Sequence, residues 1–184
     1  MKIEIEDKEF VQLLEYDQIK KRIRFLGIQL NVDYEKRVPI FLGVLNGSFI
    51  FMADLIKEIN ISSEISFVKV SSYNGTDTSS GVIKEVIGLD IILKNRDVII
   101  VEDIVDTGIT LSYLLEKVKA QEPASVSVCT LLLKPNSLKK EIEEIDYIGF
   151  EIQNEFVVGY GLDYKGLGRN LTDIYRAISA PSET

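Results

Sequence analysis

The sequence contains no histidine and no tryptophan, one cysteine and only 4 prolines among its 184 residues. Without imidazole there is no Ser-His-Asp or Cys-His catalysis, no histidine-based zinc site and no imidazole general base. The lone Cys129 cannot form an internal disulfide, and its apolar neighbours mark it as a buried thiol rather than a nucleophile. Positive charge is also scarce: 21 Lys and Arg against 29 Asp and Glu give a net charge of −8. That balance disfavours non-specific binding to nucleic acid or an anionic membrane. No apolar run approaches the roughly 18 to 20 residues that span a bilayer. Met1 to Glu9 alternate charge without the apolar core of a signal peptide. Low-complexity tracts are missing, and 46% hydrophobic content argues against disorder. A chain this long buries roughly 70% of its unfolded surface and needs no disulfide or structural metal to fold. The expectation is a single domain over residues 1–184, cytoplasmic, with neither membrane nor nucleic acid as partner.

What is present alternates between two periods. Asp17 precedes Ile19, Ile23, Leu26 and Leu30, spaced as on one face of a helix. Val38 to Leu45 reads as a buried strand ended by Asn46-Gly47, and Ser48 is a candidate N-cap for a helix through Phe49, Met52, Leu55 and Ile56. Strands follow at Ile65 to Val70 and Val82 to Ile87; between them Ser71 to Gly81 is polar and rich in small residues, the composition of a mobile loop. After a turn at Lys94 to Asp97, the β-branched run Val98-Ile99-Ile100-Val101 suits a central strand covered on both faces. Leu111 to Lys119 reads as a helix and Val126 to Leu133 as the next strand. This order predicts an α/β fold: a mainly parallel twisted sheet flanked by helices, core about 35–135, with a small C-terminal hood mainly over 140–171. Ligands of such sheets bind beyond the carboxyl ends of the strands.

At one such end lies Glu102-Asp103-Ile104-Val105-Asp106-Thr107-Gly108-Ile109-Thr110, followed by a helix. An acidic strand exit with Asp106 or Thr107 as helix cap is the bland explanation. The remainder of the segment outweighs it. A glycine for close backbone approach, two hydroxyls and free N–H groups at a helix start form a cradle for a phosphate monoester. Adjacent carboxylates accept hydrogen bonds from vicinal hydroxyls. Together they read as a ribose 5-phosphate site.

The thirteen residues Val98 to Thr110 resemble the 5-phosphoribosyl 1-diphosphate (PRPP) signature of type I phosphoribosyltransferases. Further segments, in matching order over Val38 to Leu171, are similar to those of the hypoxanthine-guanine phosphoribosyltransferase family. Gly43 to Ser48 resembles its pyrophosphate loop, Ser72-Tyr73 the start of its catalytic lid, and Leu131 to Lys134 the strand ending in its purine-selecting lysine. Phe156 to Tyr164, with Arg169-Asn170-Leu171 beyond, resembles its C-terminal base and diphosphate site.

The resemblance implies a role for each matching position. Glu102 and Asp103 would hold the ribose hydroxyls, with or through Mg²⁺, and Asp163 would help place a Mg²⁺. Asp106, Thr107, Gly108, Ile109 and Thr110 would bind the 5-phosphate, with Asp106 also lying near purine N7 as general acid/base. Lys134 would donate to the 6-oxo group and so reject adenine. Phe156 would stack on the base, and the Val157 backbone would read its edge near position 2. Leu45, Asn46, Gly47 and Arg169 would contact the diphosphate. Asn46 stands where many relatives carry lysine, so this loop has one cation fewer, and the family often has a non-proline cis peptide at Leu45-Asn46. The implied activity is purine salvage: hypoxanthine or guanine with PRPP gives the nucleoside 5-monophosphate and diphosphate. Homodimers or homotetramers are usual in the family.

Three rival readings fare worse. A PRPP-sensing regulator that binds RNA or DNA would want a basic cluster, and none is evident. Asp106-Thr107-Gly108 as half of an aspartic protease needs an all-β fold and a second carboxylate. Val98 to Asp103 mimics a Walker B strand, but the chain has no GxxxxGK[ST] motif.

Overall fold

A computed structural model of the protein describes residues 1–72, 83–89 and 91–178. The chain opens with an antiparallel hairpin, β1 (Lys2–Ile5) and β2 (Lys8–Leu14). Helix α1 (Tyr16–Asp33) follows and buries the predicted stripe of Ile19, Ile23, Leu26 and Leu30. Next come β3 (Ile40–Leu45), α2 (Phe49–Lys57), β4 (Glu64–Ser72), β5 (Ile83–Ile87), β6 (Asp97–Val105) and α3 (Ile109–Lys119). The order continues through β7 (Ser125–Leu133), β8 (Ile145–Glu151), β9 (Val157–Val158) and β10 (Ile174–Ala177).

The large sheet has the order β5-β4-β3-β6-β7-β8 and is parallel from β4 to β8, with β5 antiparallel at one edge. Side-chain alternation sorts its two faces. Ile40, Leu42, Val98 and Ile100 pack with Leu111, Leu114 and Val118 of α3. Phe41, Ile99 and Val101 point the other way, into a core shared with Leu26 and Leu30 of α1 and Met52 and Leu55 of α2. Cys129 is buried in that second core, where burial pushes its thiol pKa upward, as an inert thiol requires. No helix among the described residues is long and apolar enough to cross a membrane.

A second, four-stranded sheet, β1-β2-β10-β9, forms the hood from both ends of the chain. Residues 140–171 divide between the sheets, since β8 extends the large sheet and β9 joins the small one. Asp173, just before β10, accepts the Tyr16 N–H at 2.8 Å and the Gln12 amide at 2.9 Å. It thereby satisfies an orphan donor at the start of α1 and fixes the hood against the body.

Two local expectations are corrected. Ser48 stands at the N-cap position of α2 as expected but its side chain makes no cap: its backbone is already helical, and its hydroxyl donates to the Val44 carbonyl at 2.6 Å. Strand β6 does not stop at Val101 but runs to Val105, so Glu102 and Asp103 are strand residues. Of the expected loop Ser71 to Gly81, Ser71 and Ser72 end β4, and Tyr73 onward lies outside the described residues.

Candidate active site

Three consecutive parallel strands, β3, β6 and β7, bring their carboxyl ends together, and the loop after β9 covers them. Beyond β6, Gly108 stands at the N-cap of α3 with φ +75. A left-handed backbone favours glycine, and this one has no side chain to cap the helix. The Thr107 hydroxyl accepts the Ile109 N–H at 3.5 Å, and the other N–H groups of the helix start suit an anion such as a phosphate. Gly108, not Asp106 or Thr107, holds the N-cap position, while the Thr107 hydroxyl still meets the Ile109 N–H, so the bland explanation of this segment holds in part. Gly108 is also boxed in: a Cβ there would press on Ile142 and Leu138.

Asp106 is engaged elsewhere. Its Oδ2 accepts a hydrogen bond from Lys134 Nζ at 2.8 Å. Lys134 is buried, while Asp106 is half-exposed. Their strands are tied at this point by the Lys134 N–H to the Val105 carbonyl, at 3.0 Å. They are 28 positions apart in sequence and follow the two strands of one parallel β-α-β unit.

Glu102 and Asp103 lie one residue apart in the centre of the large sheet, Glu102 buried and Asp103 half-buried. Burial and the neighbouring Asp103 charge push the Glu102 carboxyl well above its usual range. Burial likewise raises Asp103, to about 6, against the pull of the Ile104 N–H and the Arg169 charge. Two carboxylates so placed are a strained pair of charges that a hard cation relieves.

The loop after β3 meets them. The Leu45–Asn46 peptide is cis, Asn46 is exposed and Gly47 is buried. Gly47 has no room for a side chain, because a Cβ would overlap the Asp103 carboxylate. Its other side is closed by Gly161, whose φ is +101 and whose Cβ would run into the Gly47 carbonyl. Arg169 completes the arrangement, donating to the Gly161 carbonyl at 2.6 Å and pairing with Asp163 at 2.5 Å. Asp163 also accepts the Gly166 N–H at 2.7 Å. Phe156 lies half-exposed at the rim, edge-on to Tyr164 at 5.6 Å, and Val157 is buried in β9.

A phosphoribosyl transferase domain model matches residues 11–165. The chain belongs to the phosphoribosyl transferase family. Within the family it is 44% identical over 159 residues to a hypoxanthine-guanine phosphoribosyltransferase of Bacillus subtilis, covering 86% of this chain and 88% of the relative. Identity is 50% over 161 residues to the same-named protein of Streptococcus pneumoniae, covering 86% and 88%. A hypoxanthine phosphoribosyltransferase structure from Staphylococcus aureus superposes with a TM-score of 0.84, at 42% identity over 91% of each chain. The fold expected from the sequence, a mainly parallel sheet with a small hood, is that of these relatives.

The structure therefore pairs Asp106 with Lys134 at the ends of β6 and β7, and brings Gly47, Gly161, Arg169 and Asp163 against Asp103, with Glu102 beside it in β6. Ser72 stands at the end of β4; Tyr73 lies outside the described residues. Sequence reasoning missed Gly161 and the buried Tyr160, whose hydroxyl donates to Asp54 of α2 at 2.6 Å. The glycines spaced at 159 and 161 were the available signal.

Proposed function

We propose that the protein transfers the 5-phosphoribosyl group of PRPP to N9 of hypoxanthine or guanine, releasing diphosphate. The observation that carries this reading is the buried Lys134 ammonium beside Asp106, next to a helix start whose N-cap residue is glycine. A buried donor suits a 6-oxo acceptor and leaves a 6-amino group facing a cation, which is how a site rejects adenine. The named relatives support the same substrates and give the regulatory alternative no support.

In the reaction the anomeric C–O bond to diphosphate breaks, the C–N9 bond forms, and the base loses a proton. Asp106 takes that proton at N7, while Lys134 holds O6. The N–H groups of Thr107 to Thr110, at and just before the start of α3, hold the 5-phosphate. Glu102 and Asp103 hold the ribose hydroxyls in an oxocarbenium-like transition state. Phe156 stacks on the base, and the Val157 backbone reads its edge at position 2. Arg169 and the backbone of Leu45, Asn46 and Gly47 meet the departing diphosphate. The covering loop and a lid beginning at Ser72-Tyr73 keep water away.

Mg²⁺ fits this donor set. No group of three or more His, Cys, Asp or Glu that could hold a metal occurs among the described residues, so these residues form no closed cage. One or two carboxylates completed by substrate oxygens is how Mg²⁺ is usually held. Glu102, Asp103 and Asp163 would hold it, and it would supply charge neutralisation of the diphosphate. Both Asp163 oxygens are engaged, yet a carboxylate keeps further lone pairs. The protein acts in the cytoplasm as a homodimer or homotetramer.

Incubation of the purified protein with hypoxanthine, PRPP and Mg²⁺ tests the reading, followed by chromatography and ³¹P NMR. Stoichiometric nucleoside 5-monophosphate and diphosphate are expected. Binding of PRPP without turnover of hypoxanthine or guanine would return the regulator to first place.

A further inference from the structure

The turn of the β1–β2 hairpin reaches the base side of the site, although it precedes residue 11, where the family match begins. Three of its residues touch the covering loop. Phe10 is fully buried, with its ring centroid 6.4 Å from that of Phe156 and 6.1 Å from that of Tyr164. Lys8 places its ammonium in the angle between the two outer rings, 5.1 Å from the Phe156 centroid and 4.7 Å from the Tyr164 centroid. Asp7 accepts the Tyr164 hydroxyl at 2.9 Å and Lys165 Nζ at 2.7 Å.

Phe156 needs such support. It follows Glu155 into the two-residue strand β9 and is 45% exposed, so backbone pairing alone does not fix its ring. Its ring neighbours are Phe10 and Tyr164, with Lys8 over it, and two of these three come from the hairpin. A cation held against two perpendicular rings favours one mutual orientation of both. Asp7 fixes the second ring through its hydroxyl. The hairpin thus braces the aromatic surface on which a planar base would lie.

We propose that Lys8 and Asp7 are positioning residues for the purine base, acting through the rings of Phe156 and Tyr164. This rests on the assignment of Phe156 as the stacking residue of a purine phosphoribosyltransferase. The brace acts through the rings and includes no residue of the 5-phosphate cradle, so it governs the KM for the base and leaves that for PRPP alone.

The test is steady-state kinetics on the full chain with hypoxanthine and PRPP varied separately, for wild type, Lys8→Met, Lys8→Arg and Asp7→Asn. Lys8 is exposed, so its replacement leaves the fold intact, and thermal melting checks this. Expected is a KM for hypoxanthine raised about three- to tenfold in Lys8→Met and Asp7→Asn, with kcat and the KM for PRPP within twofold of wild type. Lys8→Arg should restore the wild-type value, since guanidinium also stacks on rings. An unchanged KM for hypoxanthine in Lys8→Met would overturn the proposal. So would a lowered KM, which would make Lys8 an obstruction over the stacking face, or a parallel rise for both substrates. A wild-type protein that turns over neither hypoxanthine nor guanine would instead defeat the functional reading on which the brace rests.

Discussion

The Lys134 ammonium donates to the Asp106 carboxylate at 2.8 Å across the ends of two adjacent parallel strands. The group proposed to select the base and the group proposed to take its proton are thus held as one unit. When a 6-oxopurine enters, Lys134 has donors to spare for O6, because an ammonium carries three.

Asp106→Asn keeps the shape but removes the basicity. General acid/base catalysis contributes on the order of 10² to 10⁴ in rate, and kcat should fall within that range. PRPP affinity should change less than about tenfold, because backbone N–H groups dominate the phosphate cradle. Stopped-flow and steady-state assays check both; a kcat loss below about threefold would make Asp106 a ligand contact only.

Gly161→Ala would force a Cβ into the Gly47 carbonyl at a left-handed backbone position. The diphosphate loop must then move away from Arg169, and misplacements of this kind cost up to about 10²-fold. The KM for PRPP should rise by roughly tenfold or more. Gly166→Ala supplies the control: its φ is also positive, +84, but its Cβ would meet nothing within 4 Å. That variant should lose stability only and leave the KM for PRPP near wild type.

Tyr160→Phe removes the hydroxyl that joins the covering loop to Asp54 of α2. Burial pushes the Asp54 carboxyl up, but the hydrogen bonds from Lys57 and Tyr160 more than offset this, leaving it below its usual 3.8. A hydrogen bond to a charged group is worth about 1.5 to 3 kcal/mol. The melting temperature should therefore drop by roughly 3 to 12 °C for a chain of this size. A group with a depressed folded pKa stabilises above its unfolded pKa and loses that contribution as pH falls through the folded value. The deficit of the variant should be constant above about pH 5 and shrink as pH falls below 3.8. Calorimetry across that range would reveal a pH-independent deficit if the bond played no part.

Much of this was legible before any coordinates. Alternating apolar runs marked the central strands and helices because both sheet faces are covered, which leaves long uninterrupted β-branched segments. The end of β6 was not legible. Glu102 is buried inside a strand, and a carboxylate there contradicts the pattern that identifies strands unless a site explains it. Nor was the hairpin of Lys2 to Leu14, whose charges outnumber its half-buried Ile3 and Ile5. Its partner β10 lies far away in sequence, at Ile174–Ala177, and no local signal reports such a pairing. The candidate site was readable because its residues sit at strand ends in a fixed order. Tyr160 and Gly161 were not, because their work is packing between distant loops.

Chelation gives a direct check on the carboxylate pair. Removal of divalent cations with EDTA should abolish turnover, and Mg²⁺ should restore it. Glu102→Gln together with Asp103→Asn should lower turnover, raise the Mg²⁺ concentration needed for it and raise stability near neutral pH, since two buried carboxyls with raised pKa values oppose folding when ionised. Full activity after exhaustive chelation would remove the cation from the account.

The most direct measurement is kcat/KM for hypoxanthine, guanine, xanthine and adenine with saturating PRPP and Mg²⁺, in wild type and Lys134→Gln. The account predicts turnover of hypoxanthine or guanine, at least about tenfold discrimination against adenine, and collapse of that discrimination in the variant. Adenine turned over as fast as the 6-oxopurines by the wild-type protein would contradict it.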